Sequence, residues 1–396
     1  MNRFRTHIVV FFIVASWILM MGKGRTEAKT TNLSGGSNIR ELSLKQEIQH
    51  SVDRGLQWLK KQQAKEGYWS QPGYPALTGL VLTAFMAEPT GRMQAVKPDF
   101  IMKGYQYLFD NVQPDGGIYK EGLGNYNTSV AIMALIAAYD PTFEPVIRNA
   151  RNYIVGLQWD FDKKGTADNP LDGGVGYGGR YKHSDMSNTM FALEAIHFTK
   201  AMASDAKSGS YDELNWEAAI RFIERCQNLP SYNDQPWASD DPDNKGGFVY
   251  FPGDSKAGEM TLPSGKTAFR SYGSMSYAGL LSYIYADLDK HDPRVTAVVD
   301  WLQKNFTLDE NPGMGKQGLF YYYHTMAKAL AAYGKHELAL SDGKSVDWRK
   351  ALATKLFDLQ TSDGFWVNES GRWWEKDPVL VTTYSVIALE IVYRSL

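Results

Sequence analysis

The amino-acid sequence predicts an all-α fold, an (α/α)6 toroid made of six helical hairpins. Three observations predict it. A pair of one aromatic and one aliphatic residue, followed by an amide side chain, recurs along the chain. Each copy is followed by a second helical segment that is apolar on nearly all sides. No run of alternating β-branched residues indicates a sheet.

The recurring pair marks the first helix of each hairpin. The pairs are Trp58-Leu59, Tyr107-Leu108, Tyr153-Ile154, Phe222-Ile223, Trp301-Leu302 and, with Lys in the aromatic place, Lys355-Leu356; the amides that follow them are Gln63, Gln113, Gln158, Gln227, Asn305 and Gln360. The segment EIQHSVDRGLQWLKKQQ is polar on one face only, which is typical of a helix that packs its other face on a core. These segments are predicted to be outer helices.

The second helix of each hairpin is predicted to be buried. Segments such as TGLVLTAF and TSVAIMAL are apolar nearly all round. The predicted starts lie near Thr78, Thr128, Thr189, Ser274, Thr325 and Thr382. Six hairpins that close into a ring leave no exposed apolar end faces, which an open solenoid has to cover with capping repeats. An open right-handed solenoid is the alternative, and the lack of obvious caps disfavours it.

Two hairpins contain unusually long loops between the outer helix and its inner partner. These are residues 160–183 and 229–271. Both loops are predicted to lie at the end of the toroid where the inner helices begin. Long ordered loops on a rigid scaffold commonly carry function, so this rim is the predicted site.

The N-terminus has the pattern of a secretory signal. Arg3 and Arg5 precede an apolar run at 8–21, and small residues lead to Ala28. The chain is predicted to be exported, to a periplasm or outside the cell, after cleavage near Ala28. An uncleaved membrane anchor is the alternative, so membrane association is left open. The predicted division is a signal peptide at 1–28, a flexible leader at 29–44 and the toroid at 45–396.

Charge and cysteine content narrow the function classes further. The net charge is -2 and the sequence pI is about 6.4, which gives no basic surface for nucleic acid. Cys226 is the only cysteine, so no disulfide forms within the chain. Its helical surroundings favour a buried, inert thiol over a nucleophile.

One repeat carries a family resemblance. The segment RGLQWLKKQQAKEGYW at 54–69 resembles the QW motif of the squalene-hopene and oxidosqualene cyclases. The segments DLQTSDGFW at 358–366 and NVQPDGGIY at 111–119 resemble further copies. The resemblance covers nearly the whole mature chain and implies the fold of the prenyltransferase and terpenoid-cyclase superfamily. The motif stabilises helix ends and implies no reaction by itself.

The chain departs from the catalytic motifs of that superfamily. Class II cyclases carry an Asp-x-Asp-Asp acid, and the nearest string here is Asp-Pro-Asp-Asn at 241–244, which favours a solvated turn or a cation-binding loop. Protein prenyltransferases hold zinc with Asp-x-Cys and a later His. His324 resembles that His, but YGSMSYAGL supplies neither partner. One imidazole does not hold zinc, so no metal or cofactor is predicted; zinc with Asp185 as an oxygen ligand is the alternative.

The residues at the starts of the inner helices are the predicted site. Asp185 and His324 are the only carboxylate and the only imidazole that the sequence places there, and with Tyr323 they are the predicted catalytic residues. The predicted substrate-binding residues are Asn188, Arg270, Tyr272, Tyr322, Trp373, Trp374 and Tyr384. Basic loop residues that suit an anionic ligand are Arg180, Lys182, Arg270, Lys316 and Arg372. The structural alternatives are a helix cap for Asp185, packed wall residues for the tyrosines and His324, and a lid for the tryptophans.

These observations lead to one functional hypothesis and two alternatives. The hypothesis is an exported terpenoid-cyclase-like or prenyltransferase-like toroid that acts on an isoprenoid-like or anionic substrate in its central cavity. The first alternative is a non-catalytic toroid that binds a small molecule, lipid, glycan or protein. The second is a polysaccharide lyase or hydrolase. Glycoside hydrolysis needs two facing carboxylates, and the sequence places one at the inner helix starts.

Overall fold

The computed structural model describes residues 35–179, 183–203, 213–341 and 343–396. The predicted signal peptide and the loop residues Arg180 and Lys182 lie outside the described residues. In chain order the helices are α1 (Gly35–Lys61), α2 (Pro75–Met86), α3 (Arg92–Ala95), α4 (Asp99–Phe109), α5 (Gly124–Ala137), α6 (Glu144–Val155), α7 (Met186–Phe198), α8 (Lys200–Ala203), α9 (Trp216–Arg225), α10 (Gly273–Tyr285), α11 (Pro293–Lys304), α12 (Leu319–Tyr333), α13 (Trp348–Leu359) and α14 (Pro378–Ser395).

The helices form two concentric layers. The inner layer is α2, α5, α7, α10, α12 and α14, and every residue of α2 is buried. The outer layer is α1, α4, α6, α9, α11 and α13, each buried on one face only. Each inner helix packs against the next one along the chain, and α14 packs against α2. This last contact closes the ring, so the predicted toroid is confirmed and the open solenoid is wrong.

Hydrogen bonds close the seam between the two ends of the toroid. Arg54 in α1 donates to the carbonyl oxygens of Thr361 and Ser362, at 2.7 and 2.8 Å. The Gln360 amide donates to the Ser51 carbonyl at 3.0 Å. Because α1 also packs on α14, the first and last hairpins are neighbours in the ring.

The repeated glutamines tie neighbouring outer helices together. Gln63 donates to Gly67 O in its own loop and to Phe100 O in α4. The Gln227 amide likewise donates to Gly246 O in its own loop and to Arg294 O in α11. Each amide thus satisfies carbonyl groups at the end of one hairpin and in the outer helix of the next.

The repeated threonines hold the loops against the inner helices. The hydroxyl oxygen of Thr78 accepts from the Trp69 N–H at 3.1 Å, and that of Thr382 accepts from the Trp366 N–H at 3.0 Å. Thr128 and Thr189 bind the preceding loop in the same way, whereas Thr325 donates to the Tyr321 carbonyl within its own helix. None of these side chains caps its helix, and the helices begin before the predicted starts. In α10 the matching bond is made by Ser276, not by Ser274.

The structure adds details that the sequence pattern does not predict. Two antiparallel hairpins pair β1 (Glu259–Thr261) with β2 (Thr267–Phe269) and β3 (Glu337–Ala339) with β4 (Ser345–Asp347). Strands of three residues are too short to show an alternating pattern. Helix α1 begins at Gly35, inside the segment assigned to the leader. Among the described residues, no helix has both the length and the hydropathy to cross a membrane.

Candidate functional site

An aromatic cavity of about 340 Å³ lies where the inner helices begin. We call it the upper cavity. Its aromatic lining is Tyr126, Tyr177, Phe191, Tyr250, Tyr272, Tyr321, Tyr384, Trp373 and Trp374. The two long loops supply Tyr177 and Tyr250, and the inner helices or the residues just before them supply the rest. The volume of the cavity is in the range of a small-molecule site. The cavity lies at the end of the toroid that was predicted to be functional.

Two tryptophans partly cover the upper cavity. Trp373 and Trp374 line it while leaving 43% and 42% of their surfaces exposed. Both have left-handed backbone conformations, with φ of 55° and 66°. Trp374 packs on Tyr74 with ring centroids 4.6 Å apart, and a Cβ at Gly318 would come within 3.0 Å of the Trp373 ring. Left-handed conformations cost energy for side chains of this size, and these contacts hold them in place.

Glu375 brings a carboxyl group to this aromatic cavity. It is 1% exposed and lines the cavity directly. It accepts hydrogen bonds from the backbone N–H groups of Phe320 and Tyr321, at 3.3 and 2.7 Å, and from the Asn368 amide. Burial raises its pKa from the usual 4.5 to about 7, and the hydrogen bonds oppose part of that rise. A large fraction of Glu375 therefore carries a proton near neutral pH, as a general acid requires.

Asp185 lies behind the cavity wall. The carboxylate is fully buried at the start of α7, where it accepts from the Asn188 N–H and from the Asn188 side-chain amide, both at 2.9 Å. Asn188, but not Asp185, lines the cavity. Burial raises the pKa of Asp185 to about 6 against the lowering effect of the Asn188 hydrogen bonds. The geometry is that of a helix cap, the structural alternative for this residue.

His324 faces a different cavity from the one that Asp185 borders. It lines a smaller space of about 50 Å³ between the later turns of the inner helices, which we call the lower cavity. His324 is the sixth residue of α12, so its side chain lies below the helix start. Phe191 lines both cavities and lies between them. The structure therefore does not bring Asp185 and His324, the predicted catalytic pair, together in the lining of one cavity.

Helical geometry also corrects the predicted tyrosines. The Tyr322 and Tyr323 hydroxyls donate to the carbonyls of Thr307 and Leu308, at 2.9 and 2.5 Å, and both rings pack away from the cavities. Tyr321 lines the upper cavity instead, with its hydroxyl 3.2 Å from the Ser187 hydroxyl. A helix turn of 3.6 residues puts Tyr321 and His324 on one face and turns the intervening tyrosines outward.

The predicted substrate-binding residues divide between the cavity and the surface. Arg270, predicted to hold an anion, is exposed at the end of β2 and lies outside the lining. A strand in the long loop carries it outward, which the sequence pattern did not predict. The residues that do line the upper cavity are Asn188, Tyr272, Trp373, Trp374 and Tyr384.

The structure offers no protein site for a metal within its described ranges. No group of three or more His, Cys, Asp or Glu side chains there is arranged to hold one. Cys226 is buried at the end of α9, and burial raises the pKa of its thiol. The thiol is thus protonated, which disfavours a nucleophilic role.

Glu375 is not among the residues predicted from the sequence, because that prediction considered carboxylates only at the starts of the inner helices. The residue precedes α14 and caps the neighbouring helix α12, so its position depends on how one loop folds over the next hairpin. A signal was present in the chain nevertheless. Glu375 directly follows Trp373 and Trp374, which were assigned to the site.

Comparisons with known proteins agree with this fold. No protein-family model matches the chain, and no curated protein matches it significantly. A variant of the type II terpene cyclase MstE from Scytonema, in complex with geranylgeranyl dihydroxybenzoate (substrate), matches with a TM-score of 0.52 and 12% identity over 89% of this chain and 99% of that chain. A variant complex with merosterolic acid A (product) gives a TM-score of 0.54 and 11% identity over 90% and 99%. The apo enzyme gives 0.51 and 12% over 89% and 99%.

At such low identity the match establishes the fold alone. The chain has a terpene-cyclase-like helical toroid, as the sequence resemblance implies. The structures that match it include complexes with a small-molecule substrate and product, which are properties of those proteins.

Proposed function

We propose that the protein is an enzyme that holds an isoprenoid-like molecule in the upper cavity and uses Glu375 to protonate one of its alkenes. The observation that carries the proposal is the position of Glu375, a buried carboxyl with a pKa near 7 in an aromatic cavity. The isoprenoid class is supported by the fold, because MstE binds a geranylgeranyl-bearing substrate.

The proposed reaction is an isomerisation. The proton of Glu375 adds to one alkene carbon, which leaves a carboxylate on the protein and a cation on the other alkene carbon. A second alkene of the same molecule attacks that cation and closes a ring. The final cation loses a proton to water, and water returns a proton to Glu375. The atoms balance without a cofactor.

The aromatic rings of the cavity suit this chemistry. A cation close to the face of a Trp or Tyr ring is attracted by about 0.5–2 kcal/mol, and more strongly when water is excluded. Tyr321, Tyr384 and Trp373 line the same cavity as Glu375 and supply such rings. In the proposed reaction they also keep water away from the cation until the ring has closed.

A second candidate is a non-catalytic toroid that binds an apolar ligand. It is favoured by the hydrogen bonds of Glu375, which cap α12 as a purely structural residue would. Polysaccharide cleavage has less support. The second carboxyl, Asp185, lies behind Asn188 and cannot face a substrate together with Glu375.

Purified mature protein incubated with farnesol or geranylgeraniol tests the proposal. The readouts are ligand binding by quenching of tryptophan fluorescence and product formation by gas chromatography with mass spectrometry. The variant Glu375→Gln keeps the shape and an accepting oxygen but cannot donate the proton. Glu88→Gln is the matched control, since Glu88 is also buried and accepts backbone N–H groups but lines neither cavity.

We expect the wild type and Glu88→Gln to cyclise the ligand, and Glu375→Gln to bind it without turnover. Binding without turnover in all three proteins would favour the non-catalytic toroid. Equal turnover in all three would remove Glu375 from the mechanism.

Export is part of the proposal and is supported by the sequence at 1–28 alone. Expression of the full chain in a bacterial host, followed by N-terminal sequencing of the purified protein, tests it. Cleavage after Ala28 is the expected result. An intact N-terminus in a membrane fraction would favour the uncleaved anchor.

A further inference from the structure

The lower cavity carries charged side chains in a mostly apolar setting. Lys328 Nζ pairs with Glu194 Oε1, which also accepts from the Tyr285 hydroxyl at 3.2 Å. Arg394 lines the same cavity and donates to the backbone carbonyls of Ala87 and Glu390. The formal charges of Glu194, Lys328 and Arg394 sum to one positive charge.

Two nearby carboxyl groups make no ion pair with these side chains among the contacts described. Glu390 is fully buried one helical turn before Arg394; burial raises its pKa well above the usual 4.5, and the Arg394 charge opposes part of that rise. Glu88 lies within ion-pair distance of Arg92, at 3.9 Å. A single anionic group in the lower cavity would therefore make its charged lining neutral.

His324 supplies a polar atom that lacks a partner. Its residue is 4% exposed, it lines the lower cavity, and its Nδ1 is buried without a hydrogen bond. Burial and the nearby Lys328 hold its pKa well below 6.5, so the ring is neutral. A neutral imidazole carries its hydrogen on one of its two ring nitrogens and can donate it to an anion. Buried polar atoms in native structures are generally paired, so an unpaired one on a residue that lines a cavity points to a ligand.

The size of the lower cavity selects the kind of anion. One water needs roughly 10–15 Å³ of such volume. The space of about 50 Å³ thus accommodates a group of a few heavy atoms, such as a carboxylate, but not a diphosphate. The remaining lining includes Leu80, Val130 and Ile387, which suits a group attached to a hydrocarbon chain.

The two cavities are separated by aromatic rings. Phe191 lines both of them. Tyr384, in the wall of the upper cavity, packs against His324 with ring centroids 5.0 Å apart. A ligand that reached into both cavities would have to displace the Phe191 ring.

We propose that the ligand is an isoprenoid carboxylic acid, with its chain in the upper cavity and its carboxylate in the lower cavity, held by Arg394, Lys328 and His324. This inference rests on the proposed function, because it needs an isoprenoid chain in the upper cavity. It places the polar end of the ligand away from the tryptophan-covered mouth.

Farnesoic acid and farnesol test the inference, since they share a chain and differ in the polar end. Their affinities are measured by isothermal titration calorimetry with the wild type, Arg394→Met, His324→Phe and Arg372→Met. His324→Phe keeps the ring stacked on Tyr384 and serves if Arg394→Met fails to fold. Arg372 lies at the opposite mouth, where it stacks on Trp373 and donates to Gln317, so Arg372→Met reports an anion bound there.

We expect the wild type to bind the acid about tenfold more tightly than the alcohol, the size of effect expected for a charged hydrogen bond. Arg394→Met or His324→Phe removes that preference, and Arg372→Met keeps it. Equal binding of acid and alcohol by the wild type overturns the inference and leaves the proposed function standing. Loss of the preference in Arg372→Met alone also overturns it, since the anion then lies at the upper mouth. If neither compound binds, the proposed function fails and the inference fails with it.

Discussion

The Glu375 carboxyl group accepts a hydrogen bond of 2.7 Å from the backbone N–H of Tyr321. This bond fixes the acid at the start of α12 and next to a tyrosine ring that lines the same cavity. One side chain thus closes a helix end and presents an acidic group to an aromatic space. Its two roles can be separated by substitutions that keep the accepting oxygen.

Asp185 and Glu375 are expected to contribute less to stability as pH rises from about 4 to about 7. Burial raises the pKa of Asp185 from 3.8 to about 6 and that of Glu375 from 4.5 to about 7 in the folded chain. Over that window these two carboxyl groups bind more protons in the folded state than in the unfolded state, so their contribution to stability falls with each added pH unit. Thermal denaturation of the wild type across this range, compared with Glu375→Gln, measures the effect. A slope that does not decrease in the variant would contradict the shifted pKa of Glu375.

Substitutions of Asp185 are expected to affect stability more than catalysis. Asp185→Ala removes a helix cap and should lower the free energy of unfolding by about 1–2 kcal/mol. Asp185→Asn keeps a capping oxygen, and its amide can donate to the unpaired Asn188 Oδ1 if the Asn188 amide flips. Turnover of Asp185→Asn within a few-fold of the wild type is expected. Its complete loss, in a folded variant with normal ligand affinity, would restore Asp185 as a catalytic residue.

The same substitution at two tyrosines of α12 is expected to change ligand affinity at one of them and stability at the other. Tyr321→Leu removes an aromatic ring from the upper cavity and should weaken farnesol binding about tenfold, by loss of apolar contact area. Tyr323→Leu removes the hydrogen bond to Leu308 O and should lower stability by about 1–3 kcal/mol with unchanged affinity. Calorimetric titration and urea denaturation of both variants give the comparison. The reverse pattern would mean that α12 is rotated relative to this structure.

The seam of the toroid is expected to be sensitive to Gln360. Gln360→Leu leaves the carbonyls of Ser51 and Gly364 without their donor, which should cost about 1–3 kcal/mol. Gln106→Leu is the control, because Gln106 is exposed and makes no contact across the seam. Among the contacts described, its amide donates only to Asp110, at the end of the same helix. Urea denaturation should separate the two variants clearly. Equal stabilities would show that the seam bonds contribute little to ring closure.

The toroid itself could be predicted because its signals are local and repeated. An aromatic-aliphatic pair such as Trp58-Leu59 and a threonine such as Thr78 recur at fixed places in hairpins, and each copy supports the others. The helix starts were displaced by a few residues because these threonines do not cap their helices, and most of them bind loops instead. That role depends on a tertiary contact, which a linear pattern does not contain.

The site could be predicted only as a region. The rim and its long loops were found from loop lengths, and Tyr272 and Tyr384 lie in the cavity that forms there. The choice among Tyr321, Tyr322 and Tyr323 needed the rotation of α12 about its axis. Glu375 needed the fold of the loop that carries it across to the neighbouring hairpin, which no spacing in the sequence specifies.

The incorporation of solvent deuterium into the product tests the central claim most directly. Wild-type protein is incubated with farnesol in heavy water, and the product is analysed by mass spectrometry and NMR. Alkene protonation by Glu375 predicts a product with deuterium on the carbon that receives the proton, and no product from Glu375→Gln. A wild type that binds farnesol and yields no deuterated product, or a Glu375→Gln variant that incorporates deuterium as fast as the wild type, would contradict the account.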